Sequence, residues 1–234
     1  MSQPIFQVKN LVKEFTVGGG FGKEEIFRAL HGVSFDLYAG RTLALVGESG
    51  CGKSTCARLM TKVYPATEGE ILFNGRDIST LKSRKDILDY RSRVQMVFQD
   101  PFGSLNPTHT IEHHLTRPLK IHKQVANKAA LEERLKELLT LVELPVETLA
   151  KYPHELSGGQ RQRVNLARAL AVGVEVILAD EPTSMLDVSI RLGVLNLMQK
   201  MKKELGHRHF LFSAENLVLA FSLFLPQTKA DTNV

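Results

Sequence analysis

Three short stretches hold the residues best suited to chemistry. The first is Gly47-Glu48-Ser49-Gly50-Cys51-Gly52-Lys53-Ser54, a G-x-x-x-x-G-K-S loop followed by Thr55. Gly47, Gly50 and Gly52 let the backbone curl so that successive N–H groups point at one anion, with no side chain in the way. Lys53 adds a positive charge within reach of terminal phosphates, and Ser54 offers a hydroxyl to Mg2+. A helix beginning here aims the positive end of its dipole at the same anion. The ligand implied is a Mg-nucleoside triphosphate. The second stretch is Asp180-Glu181, two carboxylates closing an apolar run, where they are costly without a cation or a catalytic duty. The third is Ser157-Gly158-Gly159-Gln160, where Ser157 reads as a helix N-cap and the glycines leave backbone N–H groups uncovered, a second anion site.

These residues need a scaffold, and its elements are legible around them. Leu43 to Val46 is an apolar run bounded by a glycine, as in a central parallel strand. Val94 to Phe98 is a second such strand, delivering Gln99 and Asp100 to the end of the sheet where parallel strands gather ligand groups. Val176 to Ala179 is a third, ending in Asp180-Glu181, and Phe210 to Phe212 a fourth. Helices are expected from Ser157 to about Ala171 and from Asp187 to Leu205. Ahead of the phosphate loop, Ile5 to Val12 and Ile26 to Leu37 flank a break containing Gly18, Gly19, Gly20 and Gly22, which reads as an antiparallel flap. Phe15 precedes the glycines, where an aromatic could stack on a base; on the residue alone it reads as core packing. Gly69 to Phe73 is a short strand closed by the turn signal Asn74-Gly75. Pro101, Pro107 and Pro118 punctuate 100–119, and Ala129 to Val142 carries leucines at helical spacing that form an inward face. Residues 100–156 therefore read as a helical insertion between 1–99 and 157–234.

At 234 residues with 43% hydrophobic and 24% charged side chains, the chain is globular rather than fibrous or disordered. Its formal charge of +5 is scattered among Lys and Arg rather than blocked, so it reads as a solvated surface and not a nucleic-acid interface. Cys51 and Cys56 sit where their side chains diverge, which points to a reducing compartment. No signal-peptide pattern opens the chain, and the apolar run Leu217 to Leu225, interrupted by Ser222, is too short to span a bilayer. A cytosolic protein is expected, unless a partner holds it at a membrane.

Together these motifs resemble the ATP-binding subunit of an ATP-binding-cassette (ABC) transporter over residues 4 to 217. Gly47 to Thr55 is similar to the Walker A loop, Gln99 to the Q-loop glutamine, and Leu156 to Gln160 to the LSGGQ signature. Val176 to Asp180 with Glu181 resembles the Walker B strand and catalytic glutamate, and Ser184 to Asp187 the D-loop, with Met185 where alanine is common. Phe98-Gln99-Asp100-Pro101-Phe102 with Ser104-Leu105-Asn106-Pro107 resembles the oligopeptide and dipeptide importer branch, which also contains nickel systems. The resemblance implies an α/β phosphate-loop NTPase (RecA-like) core with an antiparallel β flap and a helical insertion. It implies ATP and Mg2+ as ligands, with the metal held by Ser54 and Gln99 and with Asp180 beside it through water. Gln99, Lys53 and Glu181 become the catalytic set, Glu181 orienting or deprotonating the attacking water. Gly47 to Thr55 hold the nucleotide, Phe15 stacks on its base, and Ser157, Gly158, Gly159 and Gln160 reach the ATP of a second subunit in a head-to-tail homo- or heterodimer. Partners implied are integral membrane permeases and, indirectly, an extracytoplasmic solute-binding protein, which puts the chain on the cytoplasmic face of the inner membrane.

The chain departs from this pattern in one place. Where the family carries Ser-His-Asp after the strand equivalent to Phe210 to Phe212, Ala214-Glu215-Asn216 stand here. A carboxylate facing the γ-phosphate would repel it. His207 and His209 precede that strand and read as surface histidines. The family's later strands and helices are also missing from the sequence after Leu217. The rival expectation is thus a hydrolysis-impaired or truncated cassette, serving as the non-catalytic half of a heterodimer.

Overall fold

The computed structural model describes residues 3–18, 24–38, 40–204 and 209–214. Gly19, Gly20, Gly22, Leu205, His207, Glu215, Asn216 and the stretch from Leu217 onward lie outside the described residues, and with them the reading of the switch position. The side chain of His209 also lies outside them.

Two sheets organise the fold. In the first, antiparallel strands β1 (Pro4–Gly18) and β2 (Glu24–Tyr38) pair from Pro4 with Tyr38 to Gly18 with Glu24. Strand β4 (Glu68–Phe73) pairs along the other side of β1, and the two-residue β5 (Arg76–Asp77) pairs with β4. Asn74 and Gly75 between them both have positive φ, 49° and 77°, the backbone a tight hairpin demands. Strand β1 is longer than its apolar alternation suggests, because cross-strand pairing carries the polar stretch Lys13 to Gly18 along with it.

The second sheet is parallel, in the order β3 (Thr42–Val46), β8 (His209–Ala214), β7 (Val176–Asp180), β6 (Val94–Val97). The four strands match the apolar runs in the sequence, with one correction. Among the described residues β3 lies at the end of this sheet rather than in its middle, paired only with β8, and Val46 is 42% exposed. An apolar run reports burial of the faces of a strand; it does not report how many neighbours the strand has.

Strand β7, buried at all five positions, divides the interior. Val176 and Leu178 face a cluster built from the flap (Phe6, Leu11, Phe73) and from helix α1 (Lys53–Met60) through Cys56, Leu59 and Met60. Ile177 and Ala179 face the opposite cluster, made by helices α3 (Ile111–Ile121), α4 (Lys128–Leu141), α5 (Gly158–Leu170) and α6 (Val188–Glu204). Cys56 is sealed in the first cluster, where burial pushes its thiol up to about 12, while Cys51 is exposed; neither is in a disulfide.

The helical stretch differs in detail from expectation. Pro118 lies inside α3 instead of breaking the chain. Its missing N–H and the clash of its ring with the preceding turn together cost about 3 kcal/mol in a helix interior. Ile111, Leu115 and Leu119, one face of α3, are fully buried, and Thr110 caps the start by accepting from the His113 N–H. Packing thus outweighs propensity here. Helix α2 (Arg84–Arg93), capped by Ser83, was not expected; it is mostly polar and fully buries only Tyr90, whose hydroxyl donates to the Met60 carbonyl.

Because β7 separates the two clusters, truncating a side chain there opens a cavity that neither layer can fill. Leu178→Ala should lower the unfolding free energy by about 2–5 kcal/mol, read as a shift of the urea midpoint with an unchanged m-value. A shift below about 1 kcal/mol would show that the two layers collapse onto β7 independently.

Candidate functional site

The C-terminal ends of β3, β6 and β7 meet at one edge of the parallel sheet, and each carries residues singled out in the sequence. After β3 the chain turns through Gly47 to Gly52 and enters α1. Gly50 and Gly52 have φ of 82° and 94°. A Cβ at Gly52 would lie 2.5 Å from the Ala29 carbonyl oxygen and 2.5 Å from Leu30 Cδ2, so strand β2 closes on the loop where only glycine fits. Gly52 is also the N-cap of α1 and offers no side-chain cap, which leaves the first N–H groups of that helix open to a ligand.

The side chain of Lys53 folds back over the loop. Its Nζ donates to the carbonyls of Gly47 (2.7 Å) and Glu48 (2.9 Å), lies 3.9 Å from Cys51 Sγ, and is 3.5 Å from Glu181 Oε1. Both side chains of the Lys53–Glu181 pair are over nine-tenths buried. Gln99, just past β6, donates from Nε2 to Glu181 Oε2 at 3.0 Å. Ser54 Oγ donates to Asp180 Oδ1 at 2.9 Å. Lys53, Glu181 and Gln99 thus form one set of contacts and Ser54 and Asp180 a second, held side by side because 53 and 54, and 180 and 181, are chain neighbours. The cavity above them is about 300 Å3 and is lined by Ser49, Gly50, Thr55 and Gln99 among others.

Glu181 has a φ of 43°, unusual for a residue with a Cβ, and such a conformation costs about 1–2 kcal/mol. The turn that follows holds it there. Ser184 donates from both N (3.1 Å) and Oγ (3.0 Å) to the Glu181 carbonyl, and Arg191 from α6 donates to the carbonyls of Leu186 and Ser184 at 2.7 and 3.2 Å.

The oxygen donors suit a hard cation. Ser54 Oγ and the Asp180 carboxylate sit in contact, with the Gln99 amide nearby on Glu181. Among the described residues no group of three or more His, Cys, Asp or Glu could hold a metal unaided. Mg2+ commonly takes one or two protein oxygens and completes its shell with phosphates and water, which is what this donor set would supply.

Ser157 to Gln160 stand elsewhere. Ser157 Oγ accepts from the Gln160 N–H (3.3 Å) and Gln160 Oε1 accepts from the Ser157 N–H (3.0 Å), a reciprocal cap for α5. None of the four lines the cavity above Lys53. Gly159 is pressed onto α6: a Cβ there would lie 2.5 Å from Ile190 Cγ2, and one on Gly158 would lie 3.2 Å from Leu186 Cδ2. The segment after Gln99 is stitched to the same helix. Asn165 Nδ2 donates to Ser104 Oγ and Arg168 Nη1 to the Ser104 carbonyl, each at 2.7 Å, while Arg161 stacks over the Phe102 ring at 4.2 Å.

Phe15 is held edge-on against Tyr64, ring centroids 5.6 Å apart, with Lys13 Nζ 5.0 Å from its ring, and is not part of the cavity lining. Phe27, which sequence reasoning did not single out, lines it. No local pattern marks Phe27; its place depends on the pairing of β1 with β2.

A larger cleft, about 420 Å3, opens between α3 and the β6 edge. Arg91, Arg117, Arg168, His114 and His122 line it together with Phe98 and Ile121, and no acidic residue does. Burial holds His114, His122 and Arg168 below their usual pKa ranges.

Comparison with known proteins gives this geometry a context. The profile of the family described as "ABC transporter" matches residues 30–184. The chain is 48% identical over 217 residues to the oligopeptide transport ATP-binding protein OppF of Bacillus subtilis, covering 93% of this chain and 69% of that protein. It is 43% identical over 214 residues to the dipeptide transport ATP-binding protein DppF of Escherichia coli, covering 91% of this chain and 64% of that protein. It thus spans about two thirds of these curated relatives. The fold superposes with a TM-score of 0.80, at 30% identity and over 92% of this chain and 90% of the other, on a dimeric post-hydrolysis state of the ATP-binding cassette MJ0796 bound to ADP and Pi. A family match over about two thirds of the chain and relatives more than 40% identical agree, and the chain belongs to the ABC transporter family as an ATP-binding domain.

Proposed function

We propose that this chain is the ATP-hydrolysing, energy-coupling subunit of an ABC importer for oligopeptides or dipeptides. The observation that carries the reading is the adjacent pair of contact sets, Lys53–Glu181–Gln99 and Ser54–Asp180, at the mouth of a glycine loop. The solute class is taken from the relatives, whose names state oligopeptide and dipeptide transport.

Each residue then has a defined task. Gly47 to Thr55 wrap the phosphates with backbone N–H groups, and Lys53 exchanges the Gly47 and Glu48 carbonyls for phosphate oxygens. That exchange loosens the Lys53–Glu181 pair and leaves Glu181 to orient or deprotonate the attacking water. Ser54 and Gln99 would hold Mg2+, with Asp180 beside it, and the ion would neutralise charge on the β- and γ-phosphates. Ser157, Gly158, Gly159 and Gln160 face the ATP of a second subunit, which fits their separation from their own chain's cavity. The partner is a second cassette, identical or related. The basic, partly apolar cleft beside α3 is the seat for a permease segment. The chain works from the cytoplasmic face of the inner membrane as a peripheral subunit; among its described residues no helix is long and apolar enough to cross a bilayer.

Two substitutions separate binding from chemistry. Gly52→Ala puts a methyl group into the Ala29 carbonyl at a left-handed backbone position, so nucleotide affinity measured by fluorescent-ATP titration should fall by more than about 10-fold. Wild-type affinity in that variant would remove the loop from the site. Glu181→Gln should keep ATP affinity within a few-fold while lowering turnover by about 100-fold to 10,000-fold, and cells relying on it should lose uptake of labelled oligopeptide. Turnover that survives this change would transfer the role of base to another group.

A further inference from the structure

We propose that His114 is a positioning residue: its neutral ring clasps the chain segment that runs from Gln99 to α3, and adding a proton to that ring releases the segment and slows ATP turnover. The inference rests on the reading of Gln99 as part of the ATPase site. The clasp is built from hydrogen bonds. His114 is 8% exposed, and its Nε2 lies 3.0 Å from the Asn106 carbonyl oxygen. A carbonyl only accepts, so Nε2 carries the proton and donates it. The same carbonyl accepts from the His109 N–H at 3.2 Å, and Asn106 Oδ1 accepts from Thr108 N and Oγ1 at 3.0 and 2.8 Å. Two residues earlier, Ser104 is held by Asn165 and Arg168 of α5, and its own hydroxyl donates to the Pro101 carbonyl at 3.3 Å. Residues 101–108 thus follow Gln99 as a folded strap, tied to α5 by Arg168 and to α3 by His114, with Leu105 buried.

The charged and titratable groups around that ring are basic. Arg168 stands on α5, His109 in the strap and His113 beside it on α3, and the three imidazole centroids are 4.0, 6.1 and 6.3 Å apart. Arg91, Arg117 and His122 line the same cleft, where no carboxylate among the described residues does. Glu112 lies about 160° round α3 from His114. Burial is the largest influence on the ring and disfavours its charged form; the Asn106 carbonyl favours that form, and Arg168, His109 and His113 oppose it, leaving proton affinity below the ordinary histidine range. The folded chain therefore takes up this proton less readily than the unfolded one, so the clasp is intact above the ordinary value of 6.5 and is lost as pH falls below it. A charge on His114 also repels the Arg168 guanidinium that holds Ser104, so one proton acts against both ties of the strap. Gln99, five residues before Ser104, then loses the tether that fixes its amide on Glu181.

The test follows ATP turnover of the full chain from about pH 7.5 to about pH 5, together with amide hydrogen exchange of the peptide spanning 100–110, corrected for the intrinsic pH dependence of exchange. Wild-type kcat should fall toward acid by up to about 10-fold per pH unit, with KM for ATP held within about 2-fold, while exchange of 100–110 quickens over the same interval. His114→Gln keeps an N–H for the Asn106 carbonyl and takes up no proton, so relative to its own turnover at neutral pH it should show no acid limb and no acid-quickened exchange. His114→Ala removes the donor and should show lowered kcat and fast exchange at every pH. His113→Gln removes one repelling neighbour and should keep the limb, moved to higher pH. The inference is overturned if wild-type turnover has no acid limb, if the limb persists in His114→Gln, if His113→Gln abolishes it, or if exchange of 100–110 ignores pH. Lys53→Ala separates this from the underlying reading: it should stop turnover at every pH and leave the acid-quickened exchange in place, and if turnover survives it, the ATPase site is misassigned whatever His114 does to the strap.

Discussion

The buried ammonium of Lys53 is the interaction on which the rest of the site depends. It bridges two carbonyls of its own loop and a carboxylate carried on a different strand, so loop curvature and strand spacing are set by one group. A buried charge is tolerable only when its donors are used, and those of Lys53 are taken up by the protein. The arrangement therefore gives little net stability, because desolvation of both partners offsets their attraction. What it does give is geometry: a positive centre held still beside the open N–H groups at the start of α1, with the Glu181 carboxylate 3.5 Å from it.

That geometry is possible because β7 is clamped from both sides. Its alternating side chains enter two separate clusters, so the strand cannot tilt toward either without opening the other. Asp180 and Glu181 emerge from a strand that is buried at all five positions. The left-handed backbone at Glu181 is stabilised by the Ser184 and Arg191 hydrogen bonds, which fix the direction in which its carboxylate leaves the strand.

Much of this could be read from the chain. The glycine loop, the acidic strand end and the capped helix at Ser157 are local patterns whose meaning lies in backbone geometry over a few residues. The four parallel strands are local too, being short apolar runs. Helix α3 was hidden because Pro118 argues against a helix by propensity, whereas buried Ile111, Leu115 and Leu119 decide in its favour. Helix α2 was hidden because it buries so little that no apolar period shows. The end position of β3 and the exposure of Phe27 are long-range matters of strand order and of register across a hairpin, which no window of neighbouring residues contains. The division of the nucleotide residues between two places was legible only through the family resemblance.

The missing side chains at Gly158 and Gly159 have a mechanical consequence. Leu186 and Ile190 occupy the space those side chains would need, so the start of α5 and the first turn of α6 are in van der Waals contact with no compressible layer between them. The turn from Glu181 to Leu186 is itself locked by hydrogen bonds. On the other side, the segment after Gln99 is bonded through Ser104 to the middle of α5. Helix α5 is thus gripped at two points by segments that both begin at residues touching in the cavity, Gln99 and Glu181. The cavity and the exposed cap of α5 are thus joined by two short packed, hydrogen-bonded paths, with no loose stretch of chain in either.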